Sequence, residues 1–184
     1  DGISPISQPG MPGGNYLCAG IEHNEHGDPT ANGKIHEKMN EKRFRKFDPL
    51  KKRKDLFLVE GNPSASLCLI AWGSSAGVCR EAYELARDEG LDVKLLAPML
   101  LYPVEEEIYK EFLASVQAGL VVELSYQGQL YRLLRMFVDL PPNLLSYCRS
   151  GANPFQPGEI VDRLRRLVTQ LQNRDAENVA SPEE

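Results

Sequence analysis

The sequence has no run of about 18 apolar residues, the length that a helix needs to cross a bilayer, so we predict no membrane association. It also has no Cys-x-x-Cys pair, because Cys18, Cys68, Cys79 and Cys148 are scattered. Cys68 and Cys148 fall in apolar, strand-like stretches, so we predict buried, reduced thiols and a cytoplasmic protein. The start, "DGISPISQPG", has no initiator Met, basic segment or apolar segment, so we expect no signal peptide and interpret it as cut from a longer protein.

The residues that are present suit a globular domain with some irregular chain attached. Of the 184 residues, 42% are hydrophobic, which is enough for one core. The net charge of −5 excludes a molecule built throughout for nucleic acid. Ten of the 21 Lys and Arg residues nevertheless lie between Lys34 and Lys54, against three acids. A solvated face, or a face that meets an acidic partner subunit, is the commoner meaning of such a cluster, and we predict no nucleic-acid binding.

Composition divides the chain into four parts. Residues 1–33 are rich in Gly, Pro and Asn without periodicity, which indicates an extended interdomain segment. Residues 34–60 are predicted to form a basic helix, ended by Pro49, and a linker. Residues 61–172 alternate between short apolar runs and amphipathic stretches. Residues 173–184 are polar enough to be a disordered tail.

The alternating region, residues 61–172, predicts an α/β domain. The predicted strands are "LCLIAW", "DVKLLAP", "GLVVEL" and "NLLSYC". Helices are predicted at about 77–89, 104–115, 127–137 and 157–172. Repeated units of a strand followed by a helix imply a mostly parallel sheet with helices on both faces.

The stretch "GSSAG", residues 73–77, fits the pattern Gly-x-Ser-x-Gly between a strand and a helix. This is the arrangement of a hydrolase nucleophile elbow, which makes Ser75 a candidate nucleophile. In that fold a histidine follows the serine, but all three histidines of this chain precede Ser75. Two alternatives remain: Ser74 or Ser75 caps the helix, or the turn containing Ser74, Ser75 and Gly77 binds an anion.

The stretch "GIEHNEHGDP" collects Glu22, His23, Glu25, His26 and Asp28 within seven residues. Imidazole and carboxylate are ligand types used by zinc and non-haem iron. Flanking glycines and a proline leave no rigid element to hold ligand geometry, and such a loop would also need supporting groups around the ligands. A metal site is therefore one alternative here, and an interdomain loop is the other.

Several stretches, taken in their order along the chain, resemble the C-terminal part of the α subunit of 2-oxoacid:ferredoxin oxidoreductases, most closely the 2-oxoglutarate type. They are "GISPISQPGMPGG", "YLCAGIEHNEHGDPT", "KIHEKMNEKRFRKF", "WGSSAG", "REAYELARDEG", "LAPMLLYP", "VVELSYQGQL" and "NPFQPGEIVDRL". The resemblance covers roughly residues 1–172. It implies that the α/β domain resembles the C-terminal domain of transketolases, which packs subunits together. It also implies that Ser4, Pro5, His23 and Glu25 belong to an interdomain loop and not to a metal site.

The resemblance implies CoA-dependent oxidative decarboxylation of a 2-oxoacid, expected to be 2-oxoglutarate. The parent enzyme would use thiamine diphosphate, Mg²⁺ and an iron–sulfur cluster. Its partners would be a β subunit, another copy of the chain, and ferredoxin through the complex. The chain has no cysteine array and no Gly-Asp-Gly motif, so we expect no catalytic residue, no bound cofactor and no activity in this chain alone. Two positions depart from the family pattern: His26, and Ile6, where many relatives have an arginine that suits a carboxylate or phosphate.

Three other functions are left open by the sequence. The same α/β domain also serves transketolases and other 2-oxoacid dehydrogenases, so the parent could be one of those enzymes. A free-standing hydrolase would use Ser75 as its nucleophile. A non-catalytic module would bind an anion at the helix that follows Gly73.

Overall fold

The computed structural model describes residues 1–180, and the chain forms two compact units, Asp1–Arg53 and Lys54–Glu184. The first unit contains helix α1 (Gly33–Arg45) and a 3-10 turn at Leu50–Lys52, and a second 3-10 turn, Lys54–Leu56, begins the second unit. The second unit contains, in chain order, β1 (Phe57–Glu60), β2 (Leu67–Ala71), α2 (Ser74–Asp88), β3 (Val93–Pro98), α3 (Glu106–Leu113), β4 (Ala118–Glu123), α4 (Gln129–Phe137), β5 (Asn143–Cys148) and α5 (Pro157–Ala180). None of the helices in the described part of the chain has the length and apolar character needed to span a bilayer.

The second unit is built on a five-stranded sheet with the order β1-β3-β2-β4-β5. Strands β2 to β5 run parallel, and β1 pairs antiparallel with β3 at one edge, with Phe57 opposite Pro98. The predicted fold class, a mostly parallel sheet in an α/β domain, is confirmed. Strand β1 was not predicted, because residues 34–60 were assigned to a helix and a linker. Its four residues include two adjacent exposed side chains, Leu58 and Val59, so it has no strand periodicity and is defined by pairing with β3.

Both faces of the sheet are covered by helices, as predicted. One core layer joins α2 and α5 to alternate strand residues such as Leu69, Leu95 and Leu120. The opposite layer joins α3 and α4 to the intervening strand residues, which include Ile70 and Val121. The strands β2, β3 and β4 are buried along their whole length, which explains why their residues are apolar or small except for Lys94 and Glu123.

Helix α5 begins at Pro157, as predicted, and packs a stripe that includes Ile160 and Leu164 against the sheet. It continues to Ala180, whereas the sequence pattern predicted an end at Gln172. The predicted tail therefore overlaps the helix from 173 to 180. The apolar stripe ends near residue 172, but the helix continues because Arg174, Ala176 and Glu177 have high helix propensity. Residues 181–184 lie outside the described residues.

The four cysteines are free, but they differ in exposure from the prediction. Cys68 and Cys79 are buried between the sheet and its helices, whereas Cys18 is exposed. Cys148 was also expected to be buried and is only partly so. The reason is its position on β5, which is an edge strand of the sheet.

The first unit has one helix and very little core. Helix α1 is capped by Asn32, whose side-chain oxygen accepts from the backbone N–H groups of Lys34 and Ile35 at 3.0 and 3.4 Å. Met39 is the only hydrophobic side chain buried in the described part of this unit. Residues 1–32 hold no helix or strand, and an isolated bridge joins His23 to Pro29. The predicted extended segment and helix α1 lie in the same compact unit, Asp1–Arg53.

Candidate functional site

The acidic loop, residues 20–29, is held by ion pairs to helix α1. Both carboxylate oxygens of Glu22 accept from the Arg43 guanidinium, at 3.0 and 3.3 Å, and one also bonds to His36 Nδ1 at 2.7 Å. These hydrogen bonds, from Arg43 first and then His36, lower the pKa of Glu22 to about 2. A second pair joins Lys38 Nζ to Glu25 at 2.9 Å. Two acids that the sequence offered as metal ligands are thus occupied by basic residues of the helix.

The rest of the acidic loop is shaped by turn chemistry. The side-chain oxygen of Asn24 accepts from the backbone N–H groups of His26 and Asp28 at 2.9 and 3.1 Å. Gly27 has φ of 89°, and a Cβ at this position would collide with the carbonyl oxygen of Leu17. Among residues 1–180, no group of three or more His, Cys, Asp or Glu side chains is arranged to hold a metal ion. The metal-site alternative is therefore not supported by a ligand set in this loop.

The other residues assigned to an interdomain loop lie on the surface of the same unit. Ser4 and Pro5 are exposed, and the Lys42 ammonium donates to the Ser4 hydroxyl at 2.5 Å. His23 Nδ1 hydrogen bonds with the carbonyl oxygen of Ile21 at 2.8 Å. The structure brings Ser4 to helix α1 through Lys42, as it does Glu25 through Lys38. Their role between domains remains a prediction.

The turn before α2 does not match the expected serine cap. Gly73 is the N-cap residue, with φ of 57°, and no side chain caps the helix. Ser75 is only 5% exposed, and its backbone N–H donates to the carbonyl oxygen of Trp72 at 3.2 Å. A nucleophile elbow presents its serine to substrate, so a buried Ser75 with no following histidine does not favour a hydrolase. Anion binding by the turn of Ser74, Ser75 and Gly77 remains a prediction.

A fully buried carboxylate organises the carboxyl end of the sheet, and the sequence reasoning missed it. Glu123, the last residue of β4, accepts from the backbone N–H groups of Leu130 and Tyr131 at 2.9 and 3.2 Å. The Trp72 indole N–H donates to Oε2 of Glu123, the oxygen that also accepts from Leu130, at 3.4 Å. Glu123 therefore satisfies free N–H groups in the first turn of α4. The sequence signal that could have found Glu123 is a single acidic residue at the end of the apolar run "GLVVE".

A buried lysine is the second group that was missed. Lys94, on β3, is 2% exposed, and it is the only charged residue within that strand. Its ammonium donates to the carbonyl oxygen of Pro63 at 2.6 Å and to the Ser115 hydroxyl at 2.8 Å. It also lies 4.9 Å from the centre of the Phe112 ring. Burial lowers the pKa of Lys94.

Comparison with known proteins places the second unit in a family. The model of pyruvate:ferredoxin oxidoreductase core domain II matches residues 65–160, which contain β2 to β5 and the start of α5. The chain belongs to this family. It is 31% identical over 171 residues to the 2-oxoacid:ferredoxin oxidoreductase 2 α subunit of Aeropyrum pernix, a match that covers 91% of this chain and 26% of that protein. It is 29% identical over 150 residues to the 2-oxoglutarate synthase subunit KorA of Methanocaldococcus jannaschii, covering 80% of this chain and 39% of that subunit.

A solved structure extends the likeness to both units. The structure of 2-oxoglutarate:ferredoxin oxidoreductase from Magnetococcus marinus, with 2-oxoglutarate, coenzyme A and succinyl-CoA bound, aligns with 91% of this chain and 29% of its own. The TM-score is 0.78 and the sequence identity is 35%. The resemblance to α subunits of 2-oxoacid:ferredoxin oxidoreductases is thus confirmed. The chain spans between 26% and 39% of the length of these three relatives.

Proposed function

We propose that this chain is the C-terminal assembly part of the α subunit of a thiamine diphosphate-dependent 2-oxoacid:ferredoxin oxidoreductase, with 2-oxoglutarate as the oxoacid. Support comes from the 35% identity over 91% of the chain to an enzyme solved with 2-oxoglutarate bound. The proposed partners are the β subunit and another copy of the α subunit, with ferredoxin binding to the complex. The free state of the four cysteines agrees with a cytoplasmic location.

The observation that carries the assembly role is the surface of the first unit. Its described residues bury one hydrophobic side chain, Met39. Its exposed large hydrophobic residues, each more than half exposed, are Ile3, Ile6, Met11, Tyr16, Leu17, Ile21 and Phe44. A unit that buries so little apolar surface does not offset the conformational entropy lost on ordering its backbone. We infer that partner subunits cover this apolar surface in the complete enzyme.

In this proposal, the cofactors of the parent enzyme bind to parts of that enzyme other than this chain. Among the described residues, no cluster of three or more His, Cys, Asp or Glu side chains could hold a metal ion. Burial raises the pKa of both Cys68 and Cys79 to about 12, which disfavours the thiolate form that ligates iron. The thiamine diphosphate, Mg²⁺ and iron–sulfur cluster would supply the decarboxylation and electron transfer. In this proposal the chain itself positions subunits, and alone it is inactive.

The assembly role can be tested in the complete enzyme with paired charge substitutions. Ile6→Asp and Tyr16→Asp place a charge on the exposed apolar surface, whereas Gln8→Asp and Asn15→Asp place the same charge on nearby exposed polar residues. We expect the first two variants to weaken subunit association by roughly tenfold or more, as charging the centre of an apolar interface does. Subunit content is measured by size-exclusion chromatography with light scattering. Activity is measured as 2-oxoglutarate- and CoA-dependent reduction of a viologen dye with thiamine diphosphate and Mg²⁺.

Two results would contradict the proposal. One is equal assembly and activity in all four variants. The other is full dye reduction by a complex from which residues 1–184 have been deleted. Dye reduction with a different 2-oxoacid only, with normal assembly, would correct the substrate and leave the assembly role in place.

A further inference from the structure

A cleft of about 310 Å³ opens on the second unit beside the antiparallel edge strand. Strand β1 contributes Phe57 and Val59 to its lining, and helix α3 contributes Ile108 and Phe112. The volume lies at the lower end of the range for small-molecule sites, and the lining is mostly apolar, as such sites are. The cleft is therefore suited to a ligand with a short hydrocarbon body and is small for a nucleotide.

Three charged residues line this cleft, and Lys94 is the buried one, whereas Lys54 and Glu111 are exposed. The Lys94 ammonium bonds to the carbonyl oxygen of Pro63 and lies over the ring of Phe112, and both of these residues also line the cleft. The two hydrogen-bond acceptors of the ammonium, Pro63 O and Ser115 Oγ, are neutral. Within the described part of the chain, no carboxylate forms an ion pair with Lys94.

A buried ammonium without a contacting counter-ion is unfavourable, because burial removes its hydration, and among the described residues Asp92 attracts it only from beyond ion-pair distance. The lowered pKa of Lys94 has this same cause. A ligand carboxylate within the cleft would supply the missing negative charge in a poorly hydrated setting, where such a pair is strong. Lys54 and Glu111 also line the cleft, so its two lysines and one glutamate carry a net charge of about +1, which suits a ligand with a single negative charge.

We propose that this cleft binds a small monocarboxylate with an apolar body, with the carboxylate on the Lys94 ammonium and the hydrocarbon chain between Phe57 and Ile108. The site lies wholly within the second unit and does not depend on the proposed assembly role. It requires no cofactor and involves no covalent step.

The test is a titration of the 184-residue chain, followed by NMR, with three probes of equal chain length: hexanoate, hexan-1-ol and hexylammonium. We expect hexanoate to shift the resonances of Phe57, Ile108 and Phe112, and to bind roughly tenfold more tightly than hexan-1-ol. Hexylammonium should not bind. Hexanoate should also raise the pKa of Lys94, followed through its side-chain carbon resonances, and hexan-1-ol should leave it unchanged.

Two variants separate the charge of the site from its shape. Lys94→Met keeps the length of the side chain and removes the ammonium, so it should remove the advantage of hexanoate over hexan-1-ol. Ile108→Trp fills the cleft and should abolish binding of both probes. If Lys94→Met does not fold, the pKa response of Lys94 in the wild-type chain decides the question. Equal binding of hexanoate and hexan-1-ol, an unchanged Lys94 pKa at saturating hexanoate, or no shift in the cleft resonances would each overturn the proposal.

Discussion

Replacing Glu123 by alanine should destabilise the second unit strongly. Its carboxylate accepts two well-formed hydrogen bonds from the first turn of α4, from Leu130 and Tyr131, at a site with no exposure to solvent. A hydrogen bond to a charged group contributes about 1.5–3 kcal/mol, so losing two predicts a cost of about 3–6 kcal/mol. The contact with Trp72, at 3.4 Å, is too long to add much. Glu123→Gln keeps an acceptor oxygen but loses the charge, and should cost about 2 kcal/mol.

The assay is urea unfolding followed by far-UV circular dichroism and by the fluorescence of Trp72, the single tryptophan of the chain. Hydrogen exchange at the amides of Leu130 and Tyr131 should accelerate in Glu123→Ala, because these groups lose their acceptor. The matched control is Glu81→Ala, which removes an exposed carboxylate from α2 and should change stability by about 0.5 kcal/mol or less. Equal unfolding midpoints for Glu123→Ala and Glu81→Ala would refute the capping argument. So would a Glu123→Gln variant as unstable as Glu123→Ala.

Three further predictions concern single side chains. Because Arg43 and His36 hold the pKa of Glu22 at about 2, below its ordinary value of 4.5, their stabilisation of the acidic loop is complete above pH 4.5 and is lost as the pH falls towards 2. Amide protection of the loop should fall over that window in the wild type and not in Glu22→Gln. Because burial lowers the pKa of Lys94 below 10.5, the unfolded chain binds more protons just below that pH, so wild-type stability relative to Lys94→Met should rise as the pH approaches 10.5. A flat or falling difference in urea midpoints would contradict this. A fluorophosphonate should leave Ser75 unmodified in peptide mass spectrometry, and stoichiometric labelling would restore the hydrolase alternative.

The sequence predicts the central strands well because their environment is uniform. Strands β2 and β4 are buried on both faces, so every position except Glu123, the last residue of β4, is apolar or small, and the run stands out from its surroundings. Strand β5 is also predicted with its observed bounds, Asn143–Cys148. Strand β1 has no such pattern, because it lies at an edge and only Phe57 is buried. Its formation depends on a partner strand that lies more than thirty residues away along the chain.

The candidate sites were predicted less well, because the chemistry depends on distant partners. Glu22 and Glu25 look like metal ligands when only their neighbours in sequence are considered. Their actual partners, Arg43 and Lys38, lie 21 and 13 residues away. Lys94 shows the reverse case: a single charge within an apolar strand looks like a surface residue, but it is buried against Pro63, 31 residues away.

Part of the basic cluster on α1 has an explanation within the first unit. Lys38, Lys42 and Arg43 each bind a residue of the preceding segment, and these contacts fasten that segment to the helix. These contacts account for three of the five Lys and Arg residues of α1. Such exposed contacts are weak, since a surface ion pair contributes about 0–1 kcal/mol. They fix the path of the segment but do not replace a hydrophobic core, so in the proposed function the first unit gains stability when partner subunits cover its exposed apolar residues. The proposed assembly role thus depends on the same exposed apolar residues that leave the first unit with low stability by itself.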